Sequence, residues 1–145
     1  MLKKEDLLGT WSLARAFETR DGRVVDPTPL GLNPSGFIHY LDDDRMAVVI
    51  AQDGRKPLSG PRRSAPVEEL AQSARSLDAY AGPYTVKGEE DVVVHHLEIS
   101  SFQNDMGVDY VRTVEFIDGE LYLGTPEFRV ADGIRGMKLV WKRLD

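Results

Sequence analysis

Hydrophobic positions along most of this chain recur at every second residue over short stretches, each closed by a turn signal, which is the pattern of half-buried β-strands. In Gly9–Arg20, Trp11 and Leu13 alternate with Thr10 and Ser12, and the hairpin dipeptide Asp21-Gly22 ends the stretch. Val24 and Val25 predict a short strand before Pro27 and Pro29 stop it. Residues 27–34 then read as irregular loop, because proline lacks a ladder donor and restricts the residue before it. Strands are expected at 37–41 and 46–51, joined by the turn Asp42-Asp43-Asp44-Arg45, and residues 52–63 read as loop. The strand rhythm returns at 84–87, 92–101, 107–117, 120–125, 127–130 and 137–143, with Asp118-Gly119 and Asp132-Gly133 as turns.

One segment departs from this period. Ser64 is placed to cap a helix, Pro66 sits where a first turn tolerates proline, and Glu68 and Glu69 follow in that turn. Val67, Leu70, Ala71, Ala74, Leu77 and Tyr80 keep the spacing of one helical face, and Gly82-Pro83 ends it. The spacing predicts one α-helix over about 64–81, with its apolar stripe laid against the strands. Repeated short strands, Asx-Gly turns and no βαβ rhythm indicate an antiparallel meander. About nine strands in one sheet favour closure into a barrel over long open edges. The expected fold is all-β, a single antiparallel β-barrel domain over 1–145 with that one helix.

Composition and charge narrow the function classes. The 145 residues are 41% hydrophobic and 29% charged, an ordinary globular balance. A net charge of −6 speaks against nucleic acid or an anionic membrane as partner. No apolar run approaches the ~20 residues of a membrane helix, and the first residues lack a signal-peptide pattern, so a cytoplasmic setting is expected. The chain has no cysteine, which excludes disulfides, thiolate nucleophiles and cysteine-ligated metals.

Several segments carry a family resemblance. Leu7-Leu8-Gly9-Thr10-Trp11 resembles the Gly-x-Trp start of lipocalins and their relatives. Pro34-Ser35-Gly36-Phe37-Ile38-His39-Tyr40, Tyr80-Ala81-Gly82-Pro83-Tyr84 and His95-His96-Leu97-Glu98-Ile99-Ser100 look like the bacterial and fungal lipocalin-like domain family. So do Gly107-Val108-Asp109-Tyr110-Val111-Arg112 and the closing Leu139-Val140-Trp141-Lys142-Arg143. These pieces stand in the family's order and span nearly the whole chain; the His-His-x-Glu strand followed by the Gly…Val-Arg strand is the most specific. The resemblance implies a small antiparallel barrel with one helix, and its relatives include both carriers of apolar molecules and barrel enzymes. It also implies that Trp11 plugs the closed end under a late basic residue, Arg143 or Lys142.

Strand alternation sorts the candidate chemistry onto faces. Val108, Tyr110, Arg112, Val114 and Phe116 share a largely apolar face, which takes Tyr110 and Arg112 into the barrel. A buried guanidinium needs an anionic or strongly polar partner. Glu98 on the adjacent strand, with His96 beside it, is the expected one; His95 lies on the opposite face. Tyr80 and Tyr84 flank Gly82-Pro83, where they either line a pocket mouth or cap the core, and the side on which His39 lies stays open.

Convergent polar groups in an apolar cavity make a small-molecule site. The expected ligand-binding residues are Arg112, Tyr110, His96, Glu98, Tyr84, Tyr80 and His39, and the expected ligand is a small, largely apolar molecule carrying a polar or acidic group. Two other readings stay open. In one, the cavity runs cofactor-independent isomerisation, cyclisation, hydration or dehydration, with His96 or Glu98 as base and Arg112 as oxyanion partner. In the other, an Arg112–Glu98 pair fixes strand register in a filled barrel that acts through homo-oligomerisation. His96, Glu98 and His39 do not complete a metal-ligand set, and Asp42-Asp43-Asp44 lacks the EF-hand pattern. Neither metal nor cofactor is predicted, and no nucleic-acid or membrane partner is expected.

Overall fold

The computed structural model describes residues 1–144. After a short helix α1 (Lys4–Leu7) come β1 (Gly9–Arg20), β2 (Arg23–Asp26), β3 (Ser35–Tyr40) and β4 (Arg45–Ala51). Helix α2 (Val67–Arg75) precedes β5 (Leu77–Lys87), β6 (Val92–His96), the two-residue β7 (Ile99–Ser100) and β8 (Asp109–Ile117). The chain finishes with β9 (Glu120–Gly124), β10 (Phe128–Val130) and β11 (Gly133–Arg143). Eight of these, in the order β1-β3-β4-β5-β6-β8-β9-β11, form a closed antiparallel ring, because β11 also pairs with β1. β2, β7 and β10 hang on it as short extensions.

The hairpins form where the turn chemistry asked for them. Asp21-Gly22 and Asp118-Gly119 have positive φ at both central positions (51° and 79°, 52° and 81°), as a type I′ turn requires. In β1 a register shift between Leu13 and Arg15 changes the phase of burial, so that Trp11 and Leu13 are followed inward by Ala16. Without that bulge a twelve-residue strand could not keep a core face while curving around the ring.

The expected helix over 64–81 is cut to nine residues, Val67–Arg75. Leu77 and Tyr80, which continue its apolar stripe in sequence, lie instead in β5 opposite Ala51 and Val48 of β4. The ladder satisfies the backbone of 77–83 against the half-buried β4, whereas α2 buries none of its residues and leaves Val67 76% exposed. Tertiary pairing outweighs local helix propensity here. The β5–β6 crossing is tight enough that a Cβ on Gly82 would sit 1.8 Å from the His96 carbonyl oxygen.

Candidate functional site

One end of the barrel is plugged. Trp11 is buried in the core, and its indole N–H donates to the Leu7 carbonyl at 2.9 Å, which draws α1 across the opening. The Arg143 guanidinium lies 4.1 Å from the centre of the Trp11 ring. It also donates to the carbonyls of Asp6 and Leu8 at the C-terminal end of α1. Of the two basic residues expected over Trp11, Arg143 is the one in place.

Toward the other end lies a cavity of about 250 Å³. Ile38, Val48, Ile50, Leu123, Leu139 and Trp141 make its apolar wall. Tyr80, His95, Tyr110 and Arg112 supply the polar wall, with Asp78, Asp105 and the half-exposed Phe102 at the rim. Strand pairing explains the grouping. Tyr110 stands opposite His95 and Arg112 opposite Val93, and directly opposed residues share a face, so β6 presents His95 inward beside Tyr110 and Arg112.

His95 is 1% exposed and has a tyrosine at each ring nitrogen: Tyr40 Oη 2.7 Å from Nε2 and Tyr80 Oη 2.9 Å from Nδ1. Burial, reinforced by the positive charge of Arg112, pushes its pKa down to about 3, so the ring is neutral. Burial raises Tyr40 and Tyr80; at Tyr80 the neighbouring Arg112 opposes that shift by favouring the phenolate. Tyr110 donates its hydroxyl to Asp105, and desolvation together with that carboxylate pushes its pKa up to about 12. Arg112 lies 4.5 Å over the Tyr110 ring and has one long contact, 3.4 Å, to its neighbour's carbonyl. Among the described residues it has no carboxylate within ion-pair distance. The wall therefore offers a guanidinium without a carboxylate partner among the described residues and the Tyr80 hydroxyl, while the Tyr110 hydroxyl and both nitrogens of His95 are engaged. Trp141 adds a buried indole N–H without an acceptor among the described residues.

The inner Arg112–Glu98–His96 cluster expected from the sequence does not assemble. His96 faces outward, where its Nδ1 lies 2.8 Å from Asp109 and its Nε2 2.9 Å from Thr85. Glu98, beyond the end of β6, pairs at 2.6 Å with Arg45 on the outer surface. The reason is register: His96 stands opposite Asp109 and shares that outer face. His39 also faces out, hydrogen-bonded to Thr10 at 3.0 Å and stacked on Phe37. Tyr84 is buried at the plugged side, its hydroxyl donating to the Leu41 carbonyl at 2.7 Å and its ring packed edge-on against Tyr40. Tyr80, Tyr110 and Arg112 do meet around the cavity. Missed from sequence were His95 and Tyr40. The signal available for His95 was Leu97, an apolar residue on its face, against Glu98 on the face of His96.

A family model for the lipocalin-like domain matches residues 8–144. The chain belongs to the lipocalin-like domain family. Comparison with curated proteins and with solved structures gives no match. A lipocalin-like barrel suggests binding of a small hydrophobic molecule. Among the described residues, no helix of this family member is long and apolar enough to cross a membrane.

Proposed function

We propose that the protein binds a compact, largely apolar molecule bearing an acidic group, its body against the wall of Ile38, Val48, Leu123 and Leu139 and its anion against Arg112. The observation that carries this reading is the guanidinium on the cavity wall without a carboxylate partner among the described residues. A partly desolvated cation of this kind gains most from an anionic ligand, through charge-assisted hydrogen bonds made where water competes poorly. A cavity of about 250 Å³ lies just below the usual small-molecule range of ~300–1,000 Å³, which favours a ligand of one or two rings over a long acyl chain. Acid–base chemistry in this cavity would have to use groups other than His96 and Glu98, which stand on the outer surface.

The test compares 2-naphthoate with 2-methylnaphthalene, which has the same rings and no acceptor. Arg112→Met is expected to weaken naphthoate by roughly 10–100-fold, the scale of a lost charge-assisted contact, and to leave methylnaphthalene unchanged. No binding of naphthoate to the wild type, or an equal loss for both probes, would remove the reading.

A further inference from the structure

We propose that Tyr40, His95 and Tyr80 form a hydrogen-bond chain with a fixed direction, which turns the Tyr80 hydroxyl proton into the cavity and makes Tyr80 the second donor, with Arg112, to the ligand's anionic oxygen. This rests on the reading of the cavity as an anion-binding site and adds to it which other group touches the ligand and what holds that group in role.

The direction follows from donor and acceptor counting. A neutral imidazole has one N–H and one lone pair, so of the two tyrosines touching His95 one donates and the other accepts. Tyr40 is 1% exposed and, among the described residues, its hydroxyl has no partner other than His95 Nε2. If Nε2 carried the proton, the Tyr40 O–H would be buried with nowhere to donate, a costly state for a hydroxyl. Tyr40 therefore donates to Nε2, and Nδ1 carries the ring proton and donates to Tyr80 Oη. The Tyr80 hydroxyl can no longer point its proton back along that bond. Arg112 beside it is a cation with no lone pair to receive one. What remains in front of Tyr80 is the cavity that it lines. Donors in such a chain polarise one another, which strengthens the terminal O–H toward an acceptor. Tyr80 and Arg112 thus present donors side by side, and a carboxylate, enolate or phenolate oxygen fits that pair where an ammonium or amide N–H does not. Tyr40 and His95 act as positioning residues; neither donates to the ligand.

The experiment reads the His95 tautomer in the full-length protein by long-range nitrogen–proton NMR correlation near neutral pH, with His95→Gln used to assign the signal. A protonated Nδ1 and an unprotonated Nε2 are expected; the opposite tautomer would overturn the proposal. Binding then tests the consequence. Tyr80→Phe is expected to weaken 2-naphthoate by roughly tenfold and leave 2-methylnaphthalene unchanged. Tyr40→Phe, which does not reach the cavity, is expected to populate the Nε2–H tautomer and to weaken naphthoate by a smaller factor in step with that population. An unchanged naphthoate affinity in folded Tyr80→Phe would overturn the donor role. Failure of naphthoate to bind the wild type would instead overturn the anion-site reading, with the tautomer still deciding the direction of the chain.

Discussion

Of the arginines that lie over aromatic rings in this barrel, Arg143 and Arg112 stand toward opposite ends and differ in what their remaining donors do. Arg143 covers Trp11 at 4.1 Å and spends its N–H groups on the carbonyls of Asp6 and Leu8. Arg112 covers Tyr110 at 4.5 Å on the wall of a cavity, reaches one neighbouring carbonyl and the Tyr80 hydroxyl, and has no carboxylate partner among the described residues. The two tryptophans repeat the contrast, since the Trp11 N–H is paired with Leu7 and the Trp141 N–H is not paired within the described residues. Cation and ring alone do not distinguish a clamp from a site. Whether the donors around them are satisfied does, because a buried donor left over is free energy available to a ligand.

The contrast can be broken from the plugged end first. Trp11→Ala should cost roughly 3–5 kcal/mol, as for other large buried aromatics, and Arg143→Ala nearer ~1 kcal/mol, with naphthoate affinity unchanged in each variant that folds. Urea melts with parallel titrations check this, and a lost affinity in folded Arg143→Ala would mean that the two ends are coupled.

The next effect separates His95 from its neighbours by pH. Its pKa is about 3 in the fold against 6.5 for the free side chain, so in that window the unfolded chain binds a proton that the folded one refuses. Stability from this group is full above pH 6.5 and is lost as the pH falls toward 3, on the order of 5 kcal/mol over the whole window. The groups facing it are Tyr40 from β3, Tyr80 from β5, and Tyr110 and Arg112 from β8, none of them a carboxylate that would rescue the charged form. Denaturant midpoints of wild type and His95→Gln between about pH 7 and about pH 4.5 should converge as the pH falls. Parallel curves would show that His95 does not report this burial.

The smallest effects belong to the outer surface. Glu98→Gln and His96→Gln should each change stability by under ~1 kcal/mol, because the Arg45–Glu98 and His96–Asp109 pairs are solvent-exposed. Neither should move naphthoate affinity. A clear loss of binding in either would return the site to the residues first expected from the sequence.

Much of the barrel was legible because turns and alternation are local properties. Asp21-Gly22 and Asp118-Gly119 adopt the conformation their side chains favour, and β8 places Tyr110 and Arg112 on the face their apolar neighbours indicate. The extent of α2 was not legible, since Leu77 and Tyr80 fit a helical stripe and a strand equally, and only pairing with β4 decides between them. The inner histidine was hidden for a related reason. Val92, Val93, Val94 and His95 are all buried, so the only contrast by which to read the phase of β6 was Leu97 against Glu98, just beyond its end. Which of two adjacent histidines looks inward is fixed by register with β8, a long-range fact.

The place where Trp11 meets Arg143 also decides how the ring begins and ends. Every other contact between ring strands joins segments near one another along the chain, whereas β1 and β11 meet across almost its full length. That seam carries the largest loop-closure entropy and belongs late in folding. Opened there, a ring closed on itself becomes a sheet whose β1 and β11, twelve and eleven residues long, each offer an unpaired side to a further strand. The contact that closes one chain on itself is also what withholds those two strands from any neighbour.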